Sequence, residues 1–250
     1  MWEDSREALA DLRVADCDRV LDVGCGTGEL SRVLAEETDG AVVGLDRDRS
    51  LLARAPVPTV QGDALSLPFP DDSVDCVVCQ ALLINLPDPG AAVREFARVA
   101  TDRVAAIEPD NSAVSVTSTV AAEAPLARRA RALYLTGVET DVDLGADAAG
   151  LFREAGLTDV RTRRYDHERT VAPPYSAAAV EAARRKATGA GIESDRETLL
   201  AGAATPADLD ALRESWREMG REAVEQMQAG DYRRREVVPF FVTVGAVGGD

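Results

Sequence analysis

Runs of consecutive apolar residues alternate with segments of helical periodicity in the first half of the chain. Five runs have Val, Ile and Leu at adjacent positions, which is typical of strands buried on both faces; they are 19–23, 41–45, 57–61, 74–80 and 103–108. Helical patterns lie between them at 29–37, 49–55 and 89–100, the last with Asp88 as a candidate N-cap. This alternation predicts an α/β fold with a doubly wound, mostly parallel sheet.

The second half of the chain follows a different rhythm. A short amphipathic helix at 147–157, ended by Gly156, precedes an alternating strand at 158–166. Most of the remainder is helical in pattern, at 113–136 and 176–229, with breaks at 189–191 and at 203–209, where Thr205 caps and Pro206 opens a new helix. A final strand is predicted at 236–247.

These elements predict a seven-stranded, Rossmann-like sheet with helical insertions. We assign residues 1–170 and 236–250 to the main domain and residues 171–235 to a helical insertion or lid, with 113–140 contributing to the lid. A length of 250 residues suits one large α/β domain with an insertion.

The charge balance is strongly acidic. The chain has 28 Lys and Arg against 44 Asp and Glu, a formal net charge of −16, and Lys186 is its single lysine. Such a composition resembles the proteins of salt-loving archaea, in which concentrated salt screens self-repulsion. Acidity of that origin says little about the partner of the protein.

The sequence predicts a soluble, cytoplasmic protein without a metal site. No apolar run is long enough to span a membrane, and the N-terminus is acidic where a signal peptide is basic. Four cysteines are too few and too unevenly placed for a disulfide framework. Cys76 and Cys79 form a C-x-x-C pattern, but in a strand positions three apart face opposite ways, so we expect a buried pair.

Three glycines, Gly24, Gly26 and Gly28, follow the first strand in VLDVGCGTG (20–28). A strand-to-helix turn against a ligand needs residues without Cβ, and the helix beyond it offers unpaired N–H donors. A dinucleotide fingerprint would have its third glycine at position 29, where this chain has Glu29. The loop therefore predicts a cradle for a cofactor with a neutral or zwitterionic centre.

The order of the motifs resembles the class I methyltransferases that use S-adenosylmethionine, and in particular the small-molecule branch similar to quinone-biosynthesis methyltransferases. The matching segments together cover about residues 15–110; they are VLDVGCGTG (20–28), VVGLDRD (42–48), VQGDALSLPFPDDSVDCVVCQALLINLPDP (60–89) and EFARVA (95–100).

The resemblance implies roles for individual residues. It places the methionine half of the cofactor on Asp22, the glycines and Cys25, and the ribose hydroxyls on Asp46. It places Arg47 over the adenine, Asp63 and Ala64 at the adenine edge, and Gln80 at the methionine end. Each has a simpler interpretation, since Asp46 and Asp63 could be turn formers, Arg47 a solvated charge and Gln80 a surface residue.

Methyl transfer from a sulfonium is an in-line displacement, which proximity and alignment can accelerate without a dedicated catalytic residue. Where an acceptor needs a base, the candidates are Glu108, at the end of the fifth strand, and His167, the single histidine. Glu108 could instead cap a turn, and His167 could be solvated surface.

Two subclasses are disfavoured. Enzymes that methylate exocyclic amino groups of nucleic acids carry an Asn/Asp-Pro-Pro-aromatic motif after the fourth strand, where this chain has QALLINLP. Enzymes that use a catalytic lysine are hard to reconcile with a chain whose single lysine is Lys186. We therefore expect a small organic acceptor and no nucleic acid partner. A cofactor-binding regulatory subunit without turnover and an NAD-dependent oxidoreductase remain alternatives.

Overall fold

The computed structural model describes residues 2, 6–202 and 204–248. Eight strands are present in this part of the chain; they are β1 (Arg19–Val23), β2 (Ala41–Asp46), β3 (Thr59–Gln61), β4 (Val74–Gln80), β5 (Ala100–Pro109), β6 (Ser115–Ser118), β7 (Thr158–Val171) and β8 (Arg234–Ala246).

The same residues form nine α-helices. They are α1 (Glu29–Glu37), α2 (Arg49–Leu52), α3 (Pro89–Val99), α4 (Glu123–Gly137), α5 (Ala148–Glu154), α6 (Ala177–Thr188), α7 (Ala190–Ser194), α8 (Arg196–Ala201) and α9 (Pro206–Ala229). Asp88 caps α3 by accepting from the Ala91 N–H, as predicted. Thr205 and Asp208 form a reciprocal capping box at the start of α9.

The strands pair in the order β3-β2-β1-β4-β5-β8-β6, and β7 also pairs with β8. The first five strands are parallel to their neighbours, whereas β8 is antiparallel to both β5 and β6. Parallel strands with helical connections bring their carboxyl ends to one edge of the sheet. The ends of β1, β2, β3 and β4 therefore lie along the same edge.

The main core lies between the parallel strands and the helices α3 and α5. Phe96 of α3 and Phe152 of α5 are fully buried against it, together with apolar residues of β1, β4 and β5. Burial of an aromatic side chain of this size contributes about 1.5–3 kcal/mol. The continuous apolar runs that predicted these strands are therefore the residues that fill both faces of the sheet.

The sheet has eight strands, so the prediction of seven was wrong. The additional strand is β6, whose residues fell within a segment predicted as helix at 113–136 and pair instead with residues 234–237 of β8. β7 extends to Val171, beyond the predicted end at 166. α2 ends at Leu52 rather than at 55, because the chain turns before Pro56.

The two thiols of the C-x-x-C pattern meet different partners, as their positions on a strand predicted. Cys79 lies 3.7 Å from a carboxylate oxygen of Glu108, whereas Cys76 contacts the thiol of Cys17. All four cysteines are buried, free thiols.

The chain forms two compact units. Unit 1 comprises residues 1–110, 144–165 and 240–250, and unit 2 comprises residues 111–143 and 166–239. Unit 2 thus includes the segment 171–235 that the sequence analysis assigned to an insertion, and all of 113–140. None of the helices among the described residues is long and apolar enough to cross a membrane.

Candidate functional site

The turn between β1 and α1 has the backbone conformation that its glycines predicted. Gly24, Gly26 and Gly28 have φ angles of +72°, +56° and +79°, in the left-handed region that residues with a Cβ rarely adopt. Gly28 is also the N-cap of α1. Backbone N–H groups of Gly24 and Cys25 donate to the carbonyl of Leu45 at 2.7 and 3.0 Å, which ties the turn to β2.

Space around the three glycines differs. A Cβ on Gly24 would lie 2.7 Å from the Leu82 side chain, and one on Gly28 would lie 2.7 Å from Pro56. A Cβ on Gly26 would meet nothing within 4 Å. Gly24 and Gly28 are therefore required by packing within the protein, whereas Gly26 presents bare backbone to open space, where a ligand can approach.

Asp46 marks the same point from the neighbouring strand. It ends β2, and its carboxylate accepts from the Gly26 N–H at 2.9 Å through one oxygen and from the Asp48 N–H at 2.8 Å through the other. Each carboxylate oxygen accepts more than one hydrogen bond. Asp46 is half-buried, so it can still accept from hydroxyl groups of a ligand lying over Gly26.

Asp22 lies beneath the turn, near the end of β1. Its side chain is buried, and it accepts a hydrogen bond from the hydroxyl of Ser31 in α1. Burial raises the pKa of Asp22 to about 7, although the hydrogen bonds from Ser31 oppose the rise. Cys25 is also buried, and Gly44 of β2 provides the room for its sulfur.

The segment after β3 brings two more of the predicted cofactor residues to this edge. The Asp63 carboxylate is exposed and accepts from the Leu65 N–H at 2.9 Å, closing a tight turn around buried Ala64. Arg47, directly after β2, has an exposed side chain. Its backbone carbonyl accepts from the Gln61 side chain at 3.0 Å, which links the ends of β2 and β3.

Gln80, at the end of β4, contacts a residue that the sequence analysis did not identify. The indole N–H of Trp2 donates to the Gln80 side-chain oxygen at 2.9 Å, and Trp2 is buried. The two positions are 78 residues apart. Trp2 has no periodic pattern around it that could have predicted this contact.

The two candidate bases lie in different units. Glu108, in unit 1, is completely buried and accepts from the backbone N–H groups of the turn after β4. His167, in unit 2, lies within β7 and accepts from the guanidinium of Arg169 at 3.3 Å. The prediction that His167 follows the edge strand was wrong, because β7 continues past it.

Three carboxyl side chains, Asp22, Asp46 and Glu108, lie near this edge of the sheet. Among the ion pairs of the described residues, none includes Asp22, Asp46 or Glu108. Carboxylates without a cationic partner favour a positively charged ligand. They disfavour a pyrophosphate, in agreement with Glu29 at the position of the third dinucleotide-type glycine.

Comparison with known proteins shows what this chain is similar to. Residues 21–107 match a protein-family model described as a methyltransferase domain. Among curated proteins, the 2-phytyl-1,4-naphtoquinone methyltransferase of Synechococcus elongatus is 39% identical over 95 residues, which are 33% of this chain and 41% of that protein. The chain therefore spans less than half the length of this relative.

Solved structures extend the likeness of the fold to almost the entire chain. The YcgJ protein of Bacillus subtilis aligns with 98% of this chain and 100% of its own length, at 18% identity and a TM-score of 0.56. Phosphoethanolamine N-methyltransferase 2 of Haemonchus contortus, in complex with S-adenosylhomocysteine, aligns with 99% of this chain and 53% of its own length, at 18% identity and a TM-score of 0.52.

Proposed function

We propose that this protein transfers a methyl group from S-adenosylmethionine to a small organic acceptor, since residues 21–107 match a family model described as a methyltransferase domain. The observation that carries the proposal is the hydrogen bond from the Gly26 N–H to Asp46, next to the open space over Gly26. It places a bare backbone turn and an acceptor carboxylate side by side at the carboxyl edge of a parallel sheet, where such sheets bind ligands.

The residues of this edge fit the proposed cofactor. S-adenosylmethionine supplies an activated methyl group on a sulfonium and carries an additional ammonium, so a site rich in carboxylates attracts it. Asp46 is placed to accept from the ribose hydroxyls, and Asp63 is exposed for the adenine amino group. Arg47 offers a planar guanidinium that can stack on the adenine.

In this mechanism the protein acts mainly by holding the cofactor and the acceptor in the correct relative position. The turn at 24–28, Asp22 and Gln80 would hold the methionine half of the cofactor and Asp46 would hold its ribose, and the sulfur that bears the methyl group joins these two parts. Holding the two reactants in line and excluding water provides much of the acceleration of a displacement at carbon. A base is needed only where the acceptor must lose a proton.

The acceptor belongs, in our proposal, to the small-molecule class. The named relative acts on a naphthoquinone, so quinones and their reduced forms are the first acceptors to test. We further propose that the protein works in the cytoplasm of a salt-adapted cell. The formal net charge of −16, the single lysine and the four free thiols support this assignment.

Isothermal titration calorimetry in about molar potassium chloride tests the proposed cofactor. We expect micromolar binding of S-adenosylmethionine and of its demethylated product, and no comparable binding of NAD. Asp46→Ala removes the acceptor for two hydroxyls and should weaken both ligands by roughly tenfold to a hundredfold. The matched control is Asp39→Ala, which removes an exposed carboxylate before β2, at the opposite end of that strand.

The outcomes separate the alternatives. Binding of NAD alone, or an equal loss of affinity in both variants, contradicts the proposal. Binding of S-adenosylmethionine without turnover on any quinone, phenol or amine acceptor favours a regulatory subunit that binds the cofactor without catalysing transfer.

A further inference from the structure

A buried carboxylate holds the turn that follows β4. The Glu108 side chain, near the end of β5, is completely buried, and one of its oxygens accepts from the N–H groups of Leu82 and Leu83 at 3.1 and 3.0 Å. Its other oxygen accepts from the Ile84 N–H at 3.4 Å. One side chain therefore satisfies three consecutive backbone donors.

The turn depends on these hydrogen bonds because water cannot replace them. Residues 83–85 form a single 3-10 turn, whose first N–H groups have no partner within the turn. Leu83 and Ile84 are both buried, and a buried donor without an acceptor costs about 1–3 kcal/mol. Ala81 enters the turn with φ +48°, a conformation unfavourable for a residue with a Cβ.

The position of this turn determines one wall of the cofactor loop. Leu82 packs against Gly24, since a Cβ on that glycine would lie 2.7 Å from the Leu82 side chain. Gln80, which the resemblance assigns to the methionine end of the cofactor, is separated from Leu82 only by Ala81. A displacement of the turn would therefore move both Leu82 and Gln80 relative to the glycines.

We propose that Glu108 is a positioning residue, which holds the turn at 81–85 against the glycine loop and thereby sets the affinity for S-adenosylmethionine. This inference rests on the proposed function. It differs from the role of general base, because the carboxylate is completely buried and both of its oxygens are directed at backbone N–H groups of the turn.

The protonation of Glu108 offers a second way to test its role. Burial raises the pKa of Glu108 to about 7, against the opposing effect of the backbone donors. The titratable neighbour in contact is Cys79 of β4. Burial raises the pKa of that thiol well above its ordinary value, and the charges of Glu108 and of Asp22 in β1 raise it further. The three backbone donors favour the ionised form and hold the pKa below the value that burial alone would give. Proton uptake at constant burial therefore weakens these hydrogen bonds, and the turn should loosen as the pH falls through about 7.

Two measurements on the full chain test the proposal. The first is the hydrogen-exchange protection of the amides of residues 82–84 without ligand. The second is the dissociation constant of S-adenosylmethionine by calorimetry; both are taken from about pH 6 to about pH 8. In the wild type, protection and affinity should both decrease toward low pH.

Glu108→Gln should lower protection and affinity by about tenfold, the loss expected for weakened charge-assisted hydrogen bonds, and should remove the pH dependence of the protection. The control is Glu123→Gln. Glu123 is an equally buried glutamate, but its partners, Lys186, Tyr232 and Arg234, all lie in unit 2. This variant should lower the melting temperature and leave the protection at 82–84 unchanged.

Unchanged protection and affinity in a folded Glu108→Gln variant would overturn the proposal. If that variant does not fold, the wild-type pH series decides, because protection at 82–84 that is constant between about pH 6 and about pH 8 is incompatible with the proposed role. If the wild type does not bind S-adenosylmethionine, the proposed function is refuted. If the wild type binds it and Glu108→Gln has the same protection and affinity as the wild type at each pH, only the role of Glu108 is refuted.

Discussion

At the scale of single residues, Asp22 makes the stability of the protein depend on pH. Its folded-state pKa is raised by burial to about 7, whereas an Asp in an unfolded chain has a pKa of about 3.9. Between these two values the folded state holds a proton that the unfolded state has lost. The free energy of unfolding contributed by Asp22 therefore decreases as the pH rises through this window.

Replacing Asp22 by Asn removes this dependence. Between about pH 4 and about pH 8 the wild type should lose about 2–4 kcal/mol of unfolding free energy that Asp22→Asn keeps. Denaturant unfolding at the two pH values measures the difference. Asp39→Asn, a change at an exposed position, serves as the control. If the free energy of unfolding depends on pH in the same way in the wild type and in Asp22→Asn, burial does not raise the pKa of Asp22.

Residues at strand ends could be predicted because two local features coincide there. Asp46 and the glycines of the loop follow buried strands, and their mutual position needs only a parallel sheet. The contact of Trp2 with Gln80 was not predictable, since it joins residues 78 positions apart with no local pattern. Glu108 was placed at the correct strand end, but its partners depend on the register of β4 with β5 and on the turn at Ala81.

At the scale of secondary structure elements, the close packing of α6 and α9 within unit 2 depends on Gly220. A Cβ at this position would lie 2.2 Å from the backbone nitrogen of Ala187 in α6. We expect Gly220→Ala to lower the free energy of unfolding by about 1–3 kcal/mol or more, because the two helix backbones must separate. Gly150→Ala is the matched control.

Gly150 lies in helix α5, and a Cβ there would meet nothing within 4 Å. Gly150→Ala should therefore stabilise the protein by about 0.5–1 kcal/mol, the usual gain in a helix interior. Guanidinium unfolding of the two variants compares them directly. If both substitutions change the free energy of unfolding in the same direction, the close packing of α6 and α9 does not depend on Gly220.

Elements buried on both faces were the easiest to predict, because their apolar runs are continuous. Strand β6 was not predicted because it has no such apolar run. Its four residues, SVTS, have two intermediate and two exposed positions, and they become a strand only by pairing with β8, more than 110 residues later. The end of β7 was missed similarly, since its polar and charged residues do not alternate clearly with apolar ones after 166.

At the scale of the whole molecule, a net charge of −16 predicts a stability that rises with salt. The screening length falls from about 10 Å at 0.1 M to about 3 Å at 1 M, so repulsion among exposed carboxylates diminishes. The melting temperature should rise by several degrees over this range of potassium chloride. Sucrose of matched osmolality should reproduce only the part that arises from solute exclusion. A constant or falling melting temperature would contradict the assignment to a salt-adapted cell.

The division into two units has a consequence for synthesis. The chain passes between the units four times, at 110/111, 143/144, 165/166 and 239/240, and the long strand β8 supplies residues to both. Domains usually fold on the ribosome one after another as they emerge. Here neither unit has all of its strands until β8 has been translated, so a nascent chain halted before Arg234 would leave both units incomplete and exposed to chaperones together.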